Sequence, residues 1–195
     1  MKKTINLGAY GWRQTHWSAV FYPQDLPMTD DDDWRLSYYS NEFNAVLVPA
    51  DYWPGADADD WLDSVHAEFQ FFVECRADML DGVSLAELSA ALKKLKPQLA
   101  ALVFPDEPMP EVVKNAFIAL ADGLAIEVFD VATGTTDFLC IEDDLSDLRA
   151  SRATVEQFAA QLDNDDTEAT IIVHHERLQA SALGKFRAML EIMGY

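Results

Sequence analysis

The side chains able to do chemistry in this chain gather where apolar runs stop. Trp12 and Arg13 follow Ile5 to Ala9, Asp51 follows Ala45 to Val48, and Glu74 and Arg76 flank Cys75 at the end of a Phe-rich run. Further along, Asp106 follows Phe104, Glu127 and Asp130 accompany Val128 and Phe129, Glu142 and Asp143 follow Ile141, and His174 and His175 follow Val173. Three chemistries fit these residue types. Glu74, Glu127 and Glu142 are the catalytic candidates for a hydrolase in which paired carboxylates act as acid and base on a small molecule or sugar. His174 and His175 with neighbouring acids are the candidates for a divalent metal that activates water. Trp12, Arg13, Trp17, Asp51 and Arg76 are the candidates for ligand binding, as aromatic faces and charges.

Each reading has a plainer counterpart. Acids beyond strand ends are common solvated surface, and a loop Trp packs more often than it binds. Arg13, between Trp12 and Trp17, reads equally as a stacked structural cation. Neighbouring histidines on a strand point to opposite faces, and the pair matches no established zinc-ligand spacing. The sequence has no Gly-x-Ser-x-Gly elbow, no Gly-x-Gly-x-x-Gly turn and no phosphate-cradling lysine loop.

The elements that must position these residues alternate between strand and helix. Largely apolar runs at 5–9, 45–48, 69–75, 99–104, 124–129, 138–141 and 170–173 read as strands, and the unbroken run 45–48 as one covered on both faces. Between them lie helical patterns. Asp30 to Asp33 supply caps ahead of Trp34, Leu36, Tyr38, Tyr39 and Phe43, and a helix spans about 59–66. Ser84 and Glu87 form a capping box before a stripe of Leu85, Leu88, Leu92 and Leu95. Pro110 opens a helix with apolar Val112, Val113, Ala116, Ile118 and Leu120 and a C-cap at Gly123, and further helices cover about 153–162 and 180–193. Strands joined through helices run parallel, in an open doubly wound sheet or a closed barrel. In either, a site forms at the carboxyl ends of the strands.

With 195 residues, half of them hydrophobic, the chain can bury a full core as a single domain over 1–195. Its 34 acids against 14 Lys and Arg give a net charge of -20, which disfavours nucleic acid and anionic membranes as partners. The acidic stretches 30–33, 57–63 and 163–168 read as solvated surface, without a calcium-hand loop. Cys75 and Cys140 read as small buried hydrophobes rather than a disulfide framework. Asn6, Gly8 and Arg13 interrupt any signal-peptide core after Lys2 and Lys3, and no run is long enough to span a bilayer. The expected setting is cytoplasmic.

One resemblance narrows the choice of fold. Leu7-Gly8-Ala9-Tyr10-Gly11-Trp12, Trp17, Val20-Phe21-Tyr22-Pro23 and Leu26-Pro27 resemble the opening of the YecE-like family, domain of unknown function 72. Tyr38-Tyr39 and Phe43-Asn44, running into Val46, are similar to that family's helix-to-strand junction; 71–77 and 171–182 are looser echoes. The resemblance implies a TIM-type βα barrel of unassigned activity, here shortened to about seven parallel strands, with one βα unit missing near 131–136. It also marks departures. Leu47 and Pro49 stand where the family usually has Glu and Asn, Glu74 lies at or beside its Lys, and His174 and His175 replace paired Asn. Cys140-Ile141-Glu142-Asp143 does not reproduce a late Arg-x-His-Gly. The reading that follows is a degenerate barrel of unassigned activity serving as a binding or interaction module for a small molecule or a protein. The alternative is a metal-dependent or carboxylate-based hydrolase at the barrel mouth.

Overall fold

The computed structural model describes residues 3–18, 20–23, 33–162 and 168–195. Lys2, Leu26-Pro27, the expected caps Asp30 to Asp32 and residues 163–167 of the last acidic stretch lie outside the described residues.

The chain alternates as expected. β1 (Thr4–Tyr10), α1 (Asp33–Ser40), β2 (Ala45–Val48), α2 (Ala58–Ser64) and β3 (Gln70–Glu74) form the first half. α3 (Leu85–Leu95), β4 (Leu99–Phe104), α4 (Glu111–Leu124), β5 (Glu127–Asp130), β6 (Phe138–Ile141), α5 (Leu148–Gln161), β7 (Glu168–Val173) and α6 (Ala180–Met193) follow. The seven strands form one sheet in the order β5-β4-β3-β2-β1-β7-β6, and every pairing is parallel.

β5 and β6 are the two ends of that order, yet the rings of Phe129 on β5 and Phe138 on β6 stack with centroids 5.0 Å apart. Only a sheet curled back on itself brings its two ends into contact, so the strands form a nearly closed TIM-type barrel rather than an open sheet. Residues 131–137 carry β5 into β6 without a helix, at the place where the shortened barrel was expected to lack a βα unit. The seam is closed by side chains instead of a hydrogen-bonded ladder.

Alternation along each strand sorts the core into two parts. Ala45, Leu47, Phe72, Ala101, Val103, Phe129, Phe138 and Ile172 pack together inside the barrel, and a larger cluster lies between the barrel wall and the helices. Gly8 of β1 is required by the closeness of this packing. A Cβ there would lie 2.1 Å from the Ala45 carbonyl oxygen, which belongs to backbone and cannot move aside. At the amino end of the barrel, Asn6 donates to Gln70 (3.1 Å) and Glu168 (2.7 Å) and accepts from Asn44 (2.9 Å), a polar plug beneath the apolar layer.

Some boundaries differ from expectation. α4 ends at Leu124, with Ala125 rather than Gly123 taking the left-handed C-cap at φ 52°, so β5 begins at Glu127 and not at Leu124. α5 starts at Leu148, because Asp147 caps it by accepting from the N–H groups of Arg149 (2.9 Å) and Ala150 (3.2 Å). Leu85 and Val112, assigned to buried stripes, are exposed in the first turns of α3 and α4. The Ser84–Glu87 capping box forms as expected.

Candidate functional site

Residues two apart on a strand share a face, so the interior layer predicts the layer above it. Gly8 gives Tyr10 on β1, Ala45 gives Leu47 on β2, Phe72 gives Glu74 on β3, Ala101 gives Val103 on β4, Phe138 gives Cys140 on β6 and Ile172 gives His174 after β7. All six of these upper positions line one cavity of about 220 Å³ at the carboxyl end of the barrel. Arg76, Pro105, Asp106, Glu107, Val131 and Glu142 form its rim.

Glu74 is the centre of this cavity. It is only 4% exposed, and among the described residues it is the only buried acid. Its Oε2 accepts the Tyr10 hydroxyl at 2.7 Å and the Ala50 backbone N–H at 3.0 Å. The Arg76 guanidinium comes within 3.9 Å of the same oxygen, while its main bonds go to Asp51 (2.6 Å) and Asp78 (3.3 Å). The backbone carbonyl of Glu74 takes the Trp53 indole N–H at 2.9 Å, which holds the end of β3 against its loop.

Tyr10 links the two sides of the cavity. Its ring stacks on His174 at 3.9 Å, and its hydroxyl is pushed far above the ordinary tyrosine range, first by burial and then by the bond to Glu74. The thiol of Cys140 is pushed up to about 12 by burial, with Glu142 and Glu74 adding to the effect, so it stays protonated at neutral pH and is no thiolate nucleophile. A second cavity of about 290 Å³ adjoins the first across the Tyr10–His174 pair and includes Tyr52 and His175.

Residues 6–126, more than half of the chain, match the model of a family described as protein of unknown function DUF72. The chain belongs to the DUF72 family. Its fold also matches the crystal structure of a DUF72 family protein from Thermotoga maritima MSB8, with a TM-score of 0.59 at 13% identity over 96% of this chain and 99% of that one. No match is found among curated proteins.

The barrel of this DUF72 chain brings together Glu74, Arg76, Asp106, Glu142 and His174 among the residues expected at a site. Others it places elsewhere. Glu127 shares the inward parity of Phe129 but opens β5, so it lies at the amino end, beside a cavity that also touches Gln70 and Glu168. Trp12 and Trp17, expected as binding faces, are 0% and 1% exposed. The turn at Gly11 (φ 70°) sends Trp12 outward against Trp61 at 5.0 Å, and Trp17 donates its indole N–H to the Leu178 carbonyl at 2.6 Å and stacks on Tyr39. Both are packing between barrel and helices.

Arg13 is a stacked cation, over Tyr52 (4.6 Å) and Trp12 (5.4 Å) rather than between Trp12 and Trp17, and it does not line the mouth. Asp51 is exposed, does not line the mouth, and pairs with Arg76 at 2.6 Å. His175 lies outside the mouth, its Nδ1 accepting the Arg177 N–H at 3.2 Å, and meets His174 only at the adjoining cavity. Among the described residues, no three His, Cys, Asp or Glu side chains gather as a metal site.

The residues that sequence reasoning missed are Tyr10, Val131 and Cys140. Tyr10 falls just past the strand run 5–9, and Cys140 reads as a small buried hydrophobe. Counting by twos from Gly8 and from Phe138 would have found both.

Proposed function

We propose that this DUF72 chain is a degenerate barrel that binds a small molecule at its mouth without turning it over. One observation carries the reading: the single buried carboxylate of the cavity, Glu74, already accepts from Tyr10 and Ala50 on one oxygen, whereas Glu142, Asp106 and Glu107 are exposed at the rim. Acid–base hydrolysis uses two carboxyls whose environments drive their protonation apart, and only one acid here is shielded from water. A concave cavity of about 220 Å³ fits a small molecule better than a protein surface. The two free cysteines fit a reducing, cytoplasmic setting, and no described helix is long and apolar enough to cross a membrane.

The test is a thermal-shift screen of small molecules against the wild type and Val131→Trp, a rim substitution that fills the mouth. Binding that saturates and is lost in Val131→Trp supports the reading. A compound at about 100 times its Kd adds roughly 2.7 kcal/mol of stability.

The hydrolase reading has one observation in its favour, that Glu74 and Glu142 line the same cavity. Turnover of glycosides or esters that disappears in both Glu74→Gln and Glu142→Gln would replace the binding reading with that one.

A further inference from the structure

We propose that the ligand of the mouth is a small organic cation carrying N–H donors, an amine or a guanidine, whose nitrogen pairs with Glu74 Oε1. The inference rests on the binding reading above and names its ligand class.

Its basis is the second oxygen of Glu74. The side chain is 6% exposed, and both of its hydrogen bonds go to Oε2; among the described residues Oε1 accepts none. Oε1 is not sealed from solvent, so this free oxygen opens into the cavity that Glu74 lines, where a ligand N–H takes the place of water. Arg76 does not fill this role. Its guanidinium is drawn to Asp51 and Asp78, and at 3.9 Å it lies near Oε2 without hydrogen-bonding it.

Charge selects the donor. Beyond Arg76, the rim contributes Asp106, Glu107 and Glu142, all exposed, on a chain of net charge -20. Such a rim concentrates cations and repels anions on approach, and a buried carboxylate discriminates an ammonium from a hydroxyl once the ligand is inside. The carbon part of the ligand meets Leu47, Val103 and Val131, and the Tyr10 ring backed by His174 offers an aromatic face.

Benzylamine, benzyl alcohol and benzoate share one shape and differ in charge, and they test the proposal by isothermal titration at low salt. The expected result is one saturable benzylamine site, benzyl alcohol at least tenfold weaker, and no binding of benzoate. Glu74→Gln keeps an acceptor for Tyr10 and Ala50, and its fold is checked by circular dichroism and its urea midpoint. It should weaken benzylamine at least tenfold and leave benzyl alcohol nearly unchanged. The triple variant Asp106→Asn, Glu107→Gln, Glu142→Gln should flatten the salt dependence of benzylamine binding.

Equal affinity for amine and alcohol, or amine binding indifferent to Glu74→Gln, would overturn the assignment. So would failure of benzylamine and butylamine alike to bind the wild type. In each case the compound screen with Val131→Trp still decides separately whether the mouth binds a neutral or anionic molecule.

Discussion

Replacing Tyr10 by Phe removes one hydroxyl and leaves the ring on His174 in place. The lost bond is the 2.7 Å donation from the Tyr10 hydroxyl to Oε2 of Glu74, a residue only 4% exposed. Hydrogen bonds to charged groups contribute about 1.5–3 kcal/mol net. Because the Ala50 N–H at 3.0 Å and Arg76 at 3.9 Å stay on the same oxygen, the lower end applies, and Tyr10→Phe should cost about 1.5 kcal/mol at pH 7. In a Glu74→Gln background the hydroxyl meets a neutral acceptor, so the same change should cost about 1 kcal/mol less. Urea unfolding with an unchanged slope measures both.

The pH dependence has a definite sign. The folded Tyr10 hydroxyl is held above its ordinary value of 10.0, so the native state binds this proton more tightly than the unfolded state does. The contribution is complete below about pH 10 and is lost above it at about 1.4 kcal/mol per unit. Wild type and Tyr10→Phe should therefore converge near pH 11. A cost under about 0.5 kcal/mol at pH 7, or a difference that does not shrink between pH 9 and 11, would refute the role given to the hydroxyl.

Other consequences follow from the barrel itself. Gly8→Ala places a methyl 2.1 Å from the Ala45 carbonyl oxygen, and should cost at least about 3 kcal/mol or prevent folding, read from the urea midpoint. Phe129→Ala and Phe138→Ala should each cost about 3–5 kcal/mol, with a coupling of about 0.5–1.5 kcal/mol in the double variant; additive costs would show that the stack does not close the seam. The Val131 N–H goes to the Phe104 carbonyl and the Thr170 N–H to the Asp137 carbonyl, so by alternation Val128, Asp130, Phe138 and Cys140 turn their backbone toward the seam. Their amides should exchange with solvent faster than those of β1 to β3, measured by native-state hydrogen exchange.

The strands were legible because a barrel strand buried on both faces leaves an unbroken apolar run. Ala45–Val48, Leu99–Phe104 and Phe138–Ile141 form strands over the residues their composition marks, each set off by a polar residue, a proline or an acid. Glu74 stood out as a candidate for the same reason, as the first charge after Phe71 to Val73, and the barrel places it in the mouth. Glu127 was misplaced because Leu124, Ala125 and Ile126 continue the apolar run through a helix end that carries no glycine at its left-handed residue. Trp12 and Trp17 were misread because an indole is equally able to cover a core or a ligand, and only the turn at Gly11 decides which. That turn depends on the Gly11 N–H reaching the Leu47 carbonyl at 2.8 Å, a contact between distant segments that no local pattern carries.

The missing βα unit therefore costs the molecule part of its wall and little of its mouth. The upper layer draws on β1, β2, β3, β4, β6 and the end of β7, and Val131, from the segment that replaces the absent unit, supplies the remaining side. Glu74 ends β3, two strands from β5 and four from β6 in the sheet order, and is held by Tyr10 from β1 and Ala50 from the loop after β2. A barrel that lost its unit elsewhere, between β1 and β3, would have lost the donors that keep this carboxylate buried. The position of the loss thus explains how a shortened barrel retains an ordered, acidic mouth, and why the seam is built from Phe129 and Phe138, which tolerate an unpaired edge by covering it with rings.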